Sequence, residues 1–117
     1  MSVTYPKGFI AAGISCGLKK DKKDLALVVN TGNKYDASAV FTSNQIKAAP
    51  VLWTQEVIKQ KKLKAVLVNS GGANACTGAR GFQDTHQSAE ILAKKLSIGS
   101  AQIGICSTGL IGKRLDI

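Results

Sequence analysis

The sequence predicts an α/β fold with a mixed sheet and at least two helices. Short apolar runs rich in β-branched residues, at Asp24–Asn30, at Ala65–Val68 and from Ile103 onward, read as strands. Two helical patterns alternate with them, one opened by Pro50 and one running from about Phe82 to Leu96. The C-terminal half therefore has the order strand, loop, helix, strand. Its two strands are expected to be parallel neighbours joined by a right-handed crossover.

In chain order, Gly8–Gly13 reads as a first strand with a glycine at each end, and Asp24–Asn30 as a stronger second one. The basic turn between them makes a hairpin the expected connection. Thr31–Lys34 is the next turn, and Ala37–Thr42, with Val40 and Phe41, reads as a third strand that completes a meander. Pro50 suits the first helical position, where its missing N–H has no partner to lose. Trp53, Val57 and Ile58 form the apolar stripe of that helix, and Lys59, Lys61 and Lys62 crowd its C-terminal end, where the helix dipole favours cations. Ala65–Val68 is an unbroken apolar run, which reads as a strand buried on both faces. In the second helix Thr85, Ala89, Leu92 and Leu96 share one face, Asp84 lies in the first turn, Lys94 and Lys95 lie in the last, and Gly99 is the expected stop.

The 117 residues make one domain at most, and 44% apolar with 20% charged residues is ordinary globular composition. No apolar run approaches the roughly 18–20 residues that span a bilayer, and MSVTYPKGF has no signal-like apolar region. Cytoplasmic residence without membrane contact is the expectation. Cys16, Cys76 and Cys106 show no CxxC spacing and, with His86 alone, make a poor metal set; reduced, mostly buried thiols are expected. The net charge of +9 is nearly all lysine, clustered at Lys19–Lys23 and Lys59–Lys64. Nucleic-acid sites also use arginine and stacking aromatics. Neither cluster has them, so both read as solvated turns and no nucleic-acid partner is expected.

Chemistry is expected at the strand ends. The run Asn69-Ser70-Gly71-Gly72-Ala73-Asn74-Ala75-Cys76-Thr77-Gly78 follows one strand, and Ser107-Thr108-Gly109 ends another, read as a turn. Four glycines between Gly71 and Gly81 let backbone approach something closely or turn where other residues cannot. A phosphate cradle would use this layout, yet neither GxxxxGK[ST] nor GxGxxG is present. A thiol nucleophile at Cys76 or Cys106 needs a base or a positive field. The sequence places none beside either sulfur, and His86 reads as a solvated side chain on a polar helical face. An oxyanion hole needs donors aimed at a developing negative oxygen. Thr108 offers a hydroxyl and Gly109 an unshielded N–H, although these residues alone are equally a plain turn.

GFIAAGISCGLKKDKKDLALVV, VFTSNQIKAAPV, VNSGGANACTGARGFQDT and CSTGLIGKRL resemble successive blocks of the ornithine acetyltransferase (glutamate N-acetyltransferase, ArgJ) family, in order and at its spacing. The resemblance implies part of an α/β/β/α-type sandwich of the DmpA/ArgJ-like kind, with two sheets between outer helices. It implies transfer of an acetyl group from N-acetylornithine to glutamate in arginine biosynthesis through an acetyl-threonine, with no resident cofactor and with acetyl-CoA as a co-substrate in some members. It maps the family's oxyanion-hole pair onto Thr108 and Gly109. The substrate-region loop then comprises Asn69, Ser70, Gly71, Gly72, Asn74 and Thr77.

The family's proenzyme cuts itself between an alanine and a threonine, and the new N-terminal threonine is the nucleophile. None of Thr4, Thr31, Thr42, Thr54, Thr77, Thr85 and Thr108 follows an alanine. The nucleophile, the cleavage site and the substrate-binding lysine are thus expected outside residues 1–117. The chain reads as the N-terminal portion of an α-chain domain, incomplete at its C-terminus and inactive alone. Its expected partners are the β-chain of the same proenzyme and further αβ units in a homo-oligomer. Without them, exposed sheet edges and apolar faces are expected. The competing expectation is a non-catalytic small domain that binds an anionic partner through its lysines.

Overall fold

The structure, a computed structural model, describes residues 2–117. A four-stranded sheet has the spatial order β1 (Phe9–Ile14), β2 (Leu25–Asn30), β3 (Ala65–Gly72), β4 (Ile103–Leu110). β1–β2 and β2–β3 pair antiparallel and β3–β4 pair parallel, so the sheet is mixed, as expected. Helix α1 (Ala49–Val57) precedes β3, and α2 (Gly78–Leu96) connects β3 to β4.

Alternation along the strands decides which side chains meet the helices. Val29, Ala65, Ile103 and Ile105 form one buried cluster with Trp53 and Val57 of α1 and Ala89 and Ala93 of α2, and Leu27 and Leu67 pack against it. The intervening residues point the other way. On that side Val68 and Cys106 are exposed and Val66 is half-buried, so Ala65–Val68 is buried on the helix side only, contrary to the expectation. Both helices pack against one face, and the other is covered only in part, where Leu63 and Thr54 lie against Gly104 and the Val40–Phe41 segment flanks Cys106. Ile10 and Ile14 are exposed for a related reason: β1 lies at the far end of the sheet from β4, on which α1 packs.

The outer edge of β4 is closed by α1. Trp53 Nε1 donates to the Ile103 carbonyl at 2.9 Å. The Thr54 hydroxyl donates to the Ile105 carbonyl at 2.8 Å and accepts the Ile105 N–H at 3.0 Å. Two side chains thereby satisfy edge groups that would otherwise be buried without partners.

Several elements depart from expectation. Ala37–Thr42 is not a strand. Residues 35–37 make a single bridge with 61–63, through Ala37 N–H to the Lys61 carbonyl and Leu63 N–H to the Tyr35 carbonyl, after which the chain runs irregularly with Val40 fully open. The N-terminal half is therefore a hairpin plus a loop, not a meander. Helix α2 begins at Gly78 instead of Phe82, which moves Asp84 out of the first turn. It ends at Ser97, whose left-handed φ of 54° stops it before Gly99. Its face of Thr85, Ala89, Leu92 and Leu96 is turned inward as expected, with Lys94 and Lys95 in the last turn. All three cysteines are exposed as residues, not buried: Cys16 follows β1, Cys76 lies in the loop before α2, and Cys106 is on the sheet face opposite the helices. Lys19–Lys23 and, within the cluster Lys59–Lys64, Lys59, Lys61 and Lys62 are exposed as expected, with Lys59 paired to Glu56 and Lys62 to Asp36. Lys64 departs from a solvated turn, being half-buried over the Tyr35 ring and donating to the Gly32 carbonyl at 3.1 Å.

The β1–β2 connection is fixed by Asp24. Its buried carboxylate accepts the N–H groups of Cys16 and Lys19, each at 2.7 Å. Those donations, Cys16 first, hold its pKa at about 2. A carboxylate depressed in the folded state stabilises fully above its unfolded value of about 4 and loses that contribution as pH falls towards about 2. Urea midpoints of the parent should therefore drop between pH 5 and pH 2.5 by more than those of Asp24→Asn; equal drops contradict this account. Thr54→Val should cost about 1–3 kcal/mol, because it leaves the Ile105 amide unpaired. A urea midpoint within error of the parent would contradict that role.

Candidate active site

β3 and β4 bring the two small-residue blocks side by side. Asn69 pairs with Ser107, Ser70 with Thr108, Gly71 with Gly109 and Gly72 with Leu110. The expectation that Ser107-Thr108-Gly109 forms a turn after a strand is corrected: these residues lie within β4, and β3 likewise runs on through Gly72. Pairing with each other keeps both glycine-bearing segments extended.

Gly71 and Gly109 are register partners, and both have positive φ, 138° and 133°. A Cβ on Gly109 would lie 2.5 Å from the Gly71 carbonyl carbon and 2.7 Å from its oxygen. A Cβ on Gly71 would lie 2.9 Å from Leu18 Cβ and 3.0 Å from the Leu18 carbonyl oxygen. The Leu18 turn, β3 and β4 are thus stacked backbone to backbone, at a spacing and conformation that only glycine accepts. Thr108 and Gly109 are both exposed at this point. Ladder alternation turns the Gly109 N–H to the same outer edge as the Ile105 N–H that α1 caps.

Around this pair the loop is knitted by its own polar groups. Asn69 is buried, donates to the Gly72 carbonyl at 3.1 Å and accepts from the Ser107 hydroxyl. The Ser70 N–H donates to the Asp24 carbonyl at 2.8 Å, joining the site to the first hairpin. Asn74 has a left-handed φ of 50° and is completely buried. Its Nδ2 donates to the Gly81 carbonyl at 2.8 Å and to Thr85 Oγ1 at 2.9 Å, while its Oδ1 accepts from Thr77 Oγ1 at 2.7 Å. Asn74 and Thr77 therefore tie the loop to the first turns of α2. Asn69 and Ser107 line a cavity of about 240 Å³ on the helix side of the sheet, walled by Leu18, Leu67 and Leu115. A second cavity, about 290 Å³, runs along the outer side of β4 between Val40–Phe41 and Pro50–Thr54 and includes Cys106 and Ser107.

Beyond β4 the chain folds back over the loop. Ala73 N–H donates to the Leu110 carbonyl at 2.9 Å and Gly112 N–H to the Ala75 carbonyl at 2.8 Å. Arg114 then forks onto the buried Asp84 of α2, Nε to Oδ2 at 2.8 Å and Nη2 to Oδ1 at 2.6 Å. The bond to that carboxylate, followed by its charge, raises the arginine's pKa further. Sequence reasoning placed Asp84 only in the first turn of α2. One signal was available: Arg114 is one of two arginines among sixteen basic residues, and arginine suits a planar, two-bond pairing.

The thiols lack activating partners. Although both residues reach the surface, partial desolvation by the atoms around the sulfur pushes the Cys106 thiol up, and desolvation followed by the Asp24 hydrogen bond does the same for Cys16. His86 lies on Trp53, ring centroids 5.1 Å apart and planes 30° off parallel, with Nε2 3.4 Å from Glu90. It is half-exposed and stacked, not freely solvated. No cluster of three or more His, Cys, Asp or Glu suited to a metal occurs among the described residues. No helix among them is long and apolar enough to cross a membrane. What the site offers is an exposed threonine next to an exposed glycine on a paired strand, and a hydroxyl and a backbone N–H are the kinds of donor that stabilise an oxygen gaining negative charge.

The family model described as "ArgJ family" matches residues 10–117. The chain is 59% identical over 118 residues to an arginine biosynthesis bifunctional protein ArgJ of Streptomyces coelicolor, which covers all of this chain and 31% of that relative. It is 56% identical over 121 residues to the ArgJ protein of Mycobacterium tuberculosis, covering 98% of this chain and 30% of that relative. Among solved structures, ornithine acetyltransferase complexed with ornithine from Mycobacterium tuberculosis superposes with a TM-score of 0.95 at 56% identity, covering 97% of this chain and 62% of that one. The arginine biosynthesis bifunctional protein ArgJ of Bacillus halodurans superposes with a TM-score of 0.92 at 43% identity, covering 98% and 60%. The chain spans under a third of the length of the curated relatives named here. Those matches, over a mixed sheet and two helices of the same arrangement, place this chain in the ArgJ family.

Proposed function

We propose that residues 1–117 are the N-terminal part of an ornithine acetyltransferase domain, and that they supply the donors that stabilise the tetrahedral intermediate of acetyl transfer. The observation that carries this reading is the parallel pairing that holds Thr108 and Gly109, exposed and adjacent, against Ser70 and Gly71. N-acetylornithine is the proposed acetyl donor and glutamate the acceptor, and the ornithine bound by the Mycobacterium tuberculosis relative supports that class of ligand. Acetyl-CoA is a further donor in some members of the family.

In the proposed step, the hydroxyl of a threonine outside this chain adds to the acetyl carbonyl carbon and passes its proton to that residue's own amine. The carbonyl π pair moves onto oxygen, where the Thr108 hydroxyl and the Gly109 N–H each donate a hydrogen bond. Collapse breaks the C–N bond, the proton goes to the departing ornithine amine, and the acetyl group is left as a threonine ester. The glutamate amine then attacks that ester and the sequence reverses. The β-chain of a processed proenzyme and further αβ units are the proposed protein partners, and their natural seats are the open part of the sheet face opposite the helices and the β1 edge. Three unpaired, exposed thiols suit a reducing compartment such as the cytoplasm.

A hybrid tests the reading: residues 10–117 replace the matching segment of the Mycobacterium tuberculosis enzyme. Retained transfer of acetyl from N-acetylornithine to glutamate supports it, and a folded but inactive hybrid overturns it. Within the hybrid, Thr108→Ala should lower kcat by about 10²–10³, the usual cost of one oxyanion donor. An unchanged kcat would remove Thr108 from that role.

A further inference from the structure

We infer that Asp84 and Arg114 are positioning residues that hold Thr108 and Gly109 in register for the reaction; this rests on the function proposed above. Asp84 projects from α2 with its side chain 7% exposed, and the Arg114 fork takes both carboxylate oxygens at 2.6 and 2.8 Å. Arg114 sits four residues beyond the end of β4, so the pair is the far anchor of the strand that carries the donors. The near anchor is the backbone contact between Gly109 and Gly71. Between the anchors, Leu110 and Gly112 are bonded to Ala73 and Ala75 of the loop. The loop is in turn fixed to α2 through Asn74, Gly81 and Thr85.

The result is a closed ring: β4, its C-terminal extension, the Arg114–Asp84 fork, α2, the Asn74 loop, β3, and back to β4 through the glycine pair. Thr108 and Gly109 lie on this ring, and the fork is its one charged link. A buried carboxylate with a two-bond arginine partner is a costly arrangement to leave half-made, and the fork fixes direction as well as distance. Leu115, which follows Arg114, packs over Gly72, where a Cβ would come within 2.8 Å of its Cδ2. Release of the fork frees that contact as well. Neither Asp84 nor Arg114 is assigned contact with the substrate.

The test is a double-mutant cycle in the hybrid enzyme, with KM, kcat and melting temperature measured for Arg114→Gln, Thr108→Ala and the double variant. Arg114→Gln should lower kcat by roughly 10–10²-fold, the scale of an ångström-sized misplacement, with little change in KM for N-acetylornithine. In the Thr108→Ala background the same change should lower kcat much less, since the two act on one interaction. An equal loss in both backgrounds overturns the positioning role and leaves the oxyanion assignment intact. So does a loss confined to KM, or no loss at all. An unchanged kcat for Thr108→Ala removes the oxyanion assignment and the positioning role with it. If Arg114→Gln fails to fold, Arg114→Lys, which keeps the charge but not the fork, is taken through the same cycle; if neither folds, the pair is structural and the inference is overturned.

Discussion

The site depends on an approach of backbone to backbone. Gly71 and Gly109 face each other across a parallel pair, both at positive φ, with no room for a β-carbon on either. Strands are normally held by side-chain packing on a pleated surface. Here two successive blocks of small residues have little to pack, and main-chain approach takes over. The register Ser70–Thr108 and Gly71–Gly109 follows from it, and with it the place of the proposed donors. An alanine at position 109 would meet both forbidden space and a strained φ.

The rest of the fold keeps that strand pair stiff from one side. α1 closes the edge of β4 with Trp53 and Thr54, and α2 approaches closely because Ala89 and Ala93 are small. Asp24 secures the first hairpin by accepting two amides, and its own carbonyl accepts the Ser70 N–H, so even the N-terminal strands are tied to the site. The opposite sheet face carries Val66, Val68 and Cys106 with only partial cover among the described residues, Val68 and Cys106 being exposed. A sheet with one packed face and one open apolar face suits a layer within a larger assembly better than a free-standing domain.

Much of this was legible in the sequence. Apolar periodicity located β1, β2, both helices and the start of β3, and Pro50 marked the α1 N-terminus. The Thr85, Ala89, Leu92 and Leu96 spacing named the inward face of α2. What local pattern could not show was tertiary in origin. Gly71-Gly72 and Ser107-Thr108-Gly109 read as turns because their strand character comes only from each other. Ala37–Thr42 has the composition of a strand but finds one bridge and no sheet. The Asn74 loop starts α2 a turn early through bonds to Gly81 and Thr85, which no spacing rule anticipates. In the site, Thr108 and Gly109 were singled out by family resemblance more than by their own chemistry. The scarcity of arginine singled out Arg114, but thirty residues separate it from Asp84 and no local pattern named that partner.

The central claim is that this strand pair holds two donors on the carbonyl oxygen of the reacting acetyl group. The most direct measurement is the infrared carbonyl stretch of the acetyl-enzyme, isotope-edited with ¹³C-acetyl and recorded in the hybrid enzyme before and after Thr108→Ala. Two donors polarise the ester carbonyl, so the account predicts a band below that of a free alkyl ester, moving to higher frequency when the hydroxyl is removed. A band already at the free-ester position, unmoved by the substitution, would contradict it.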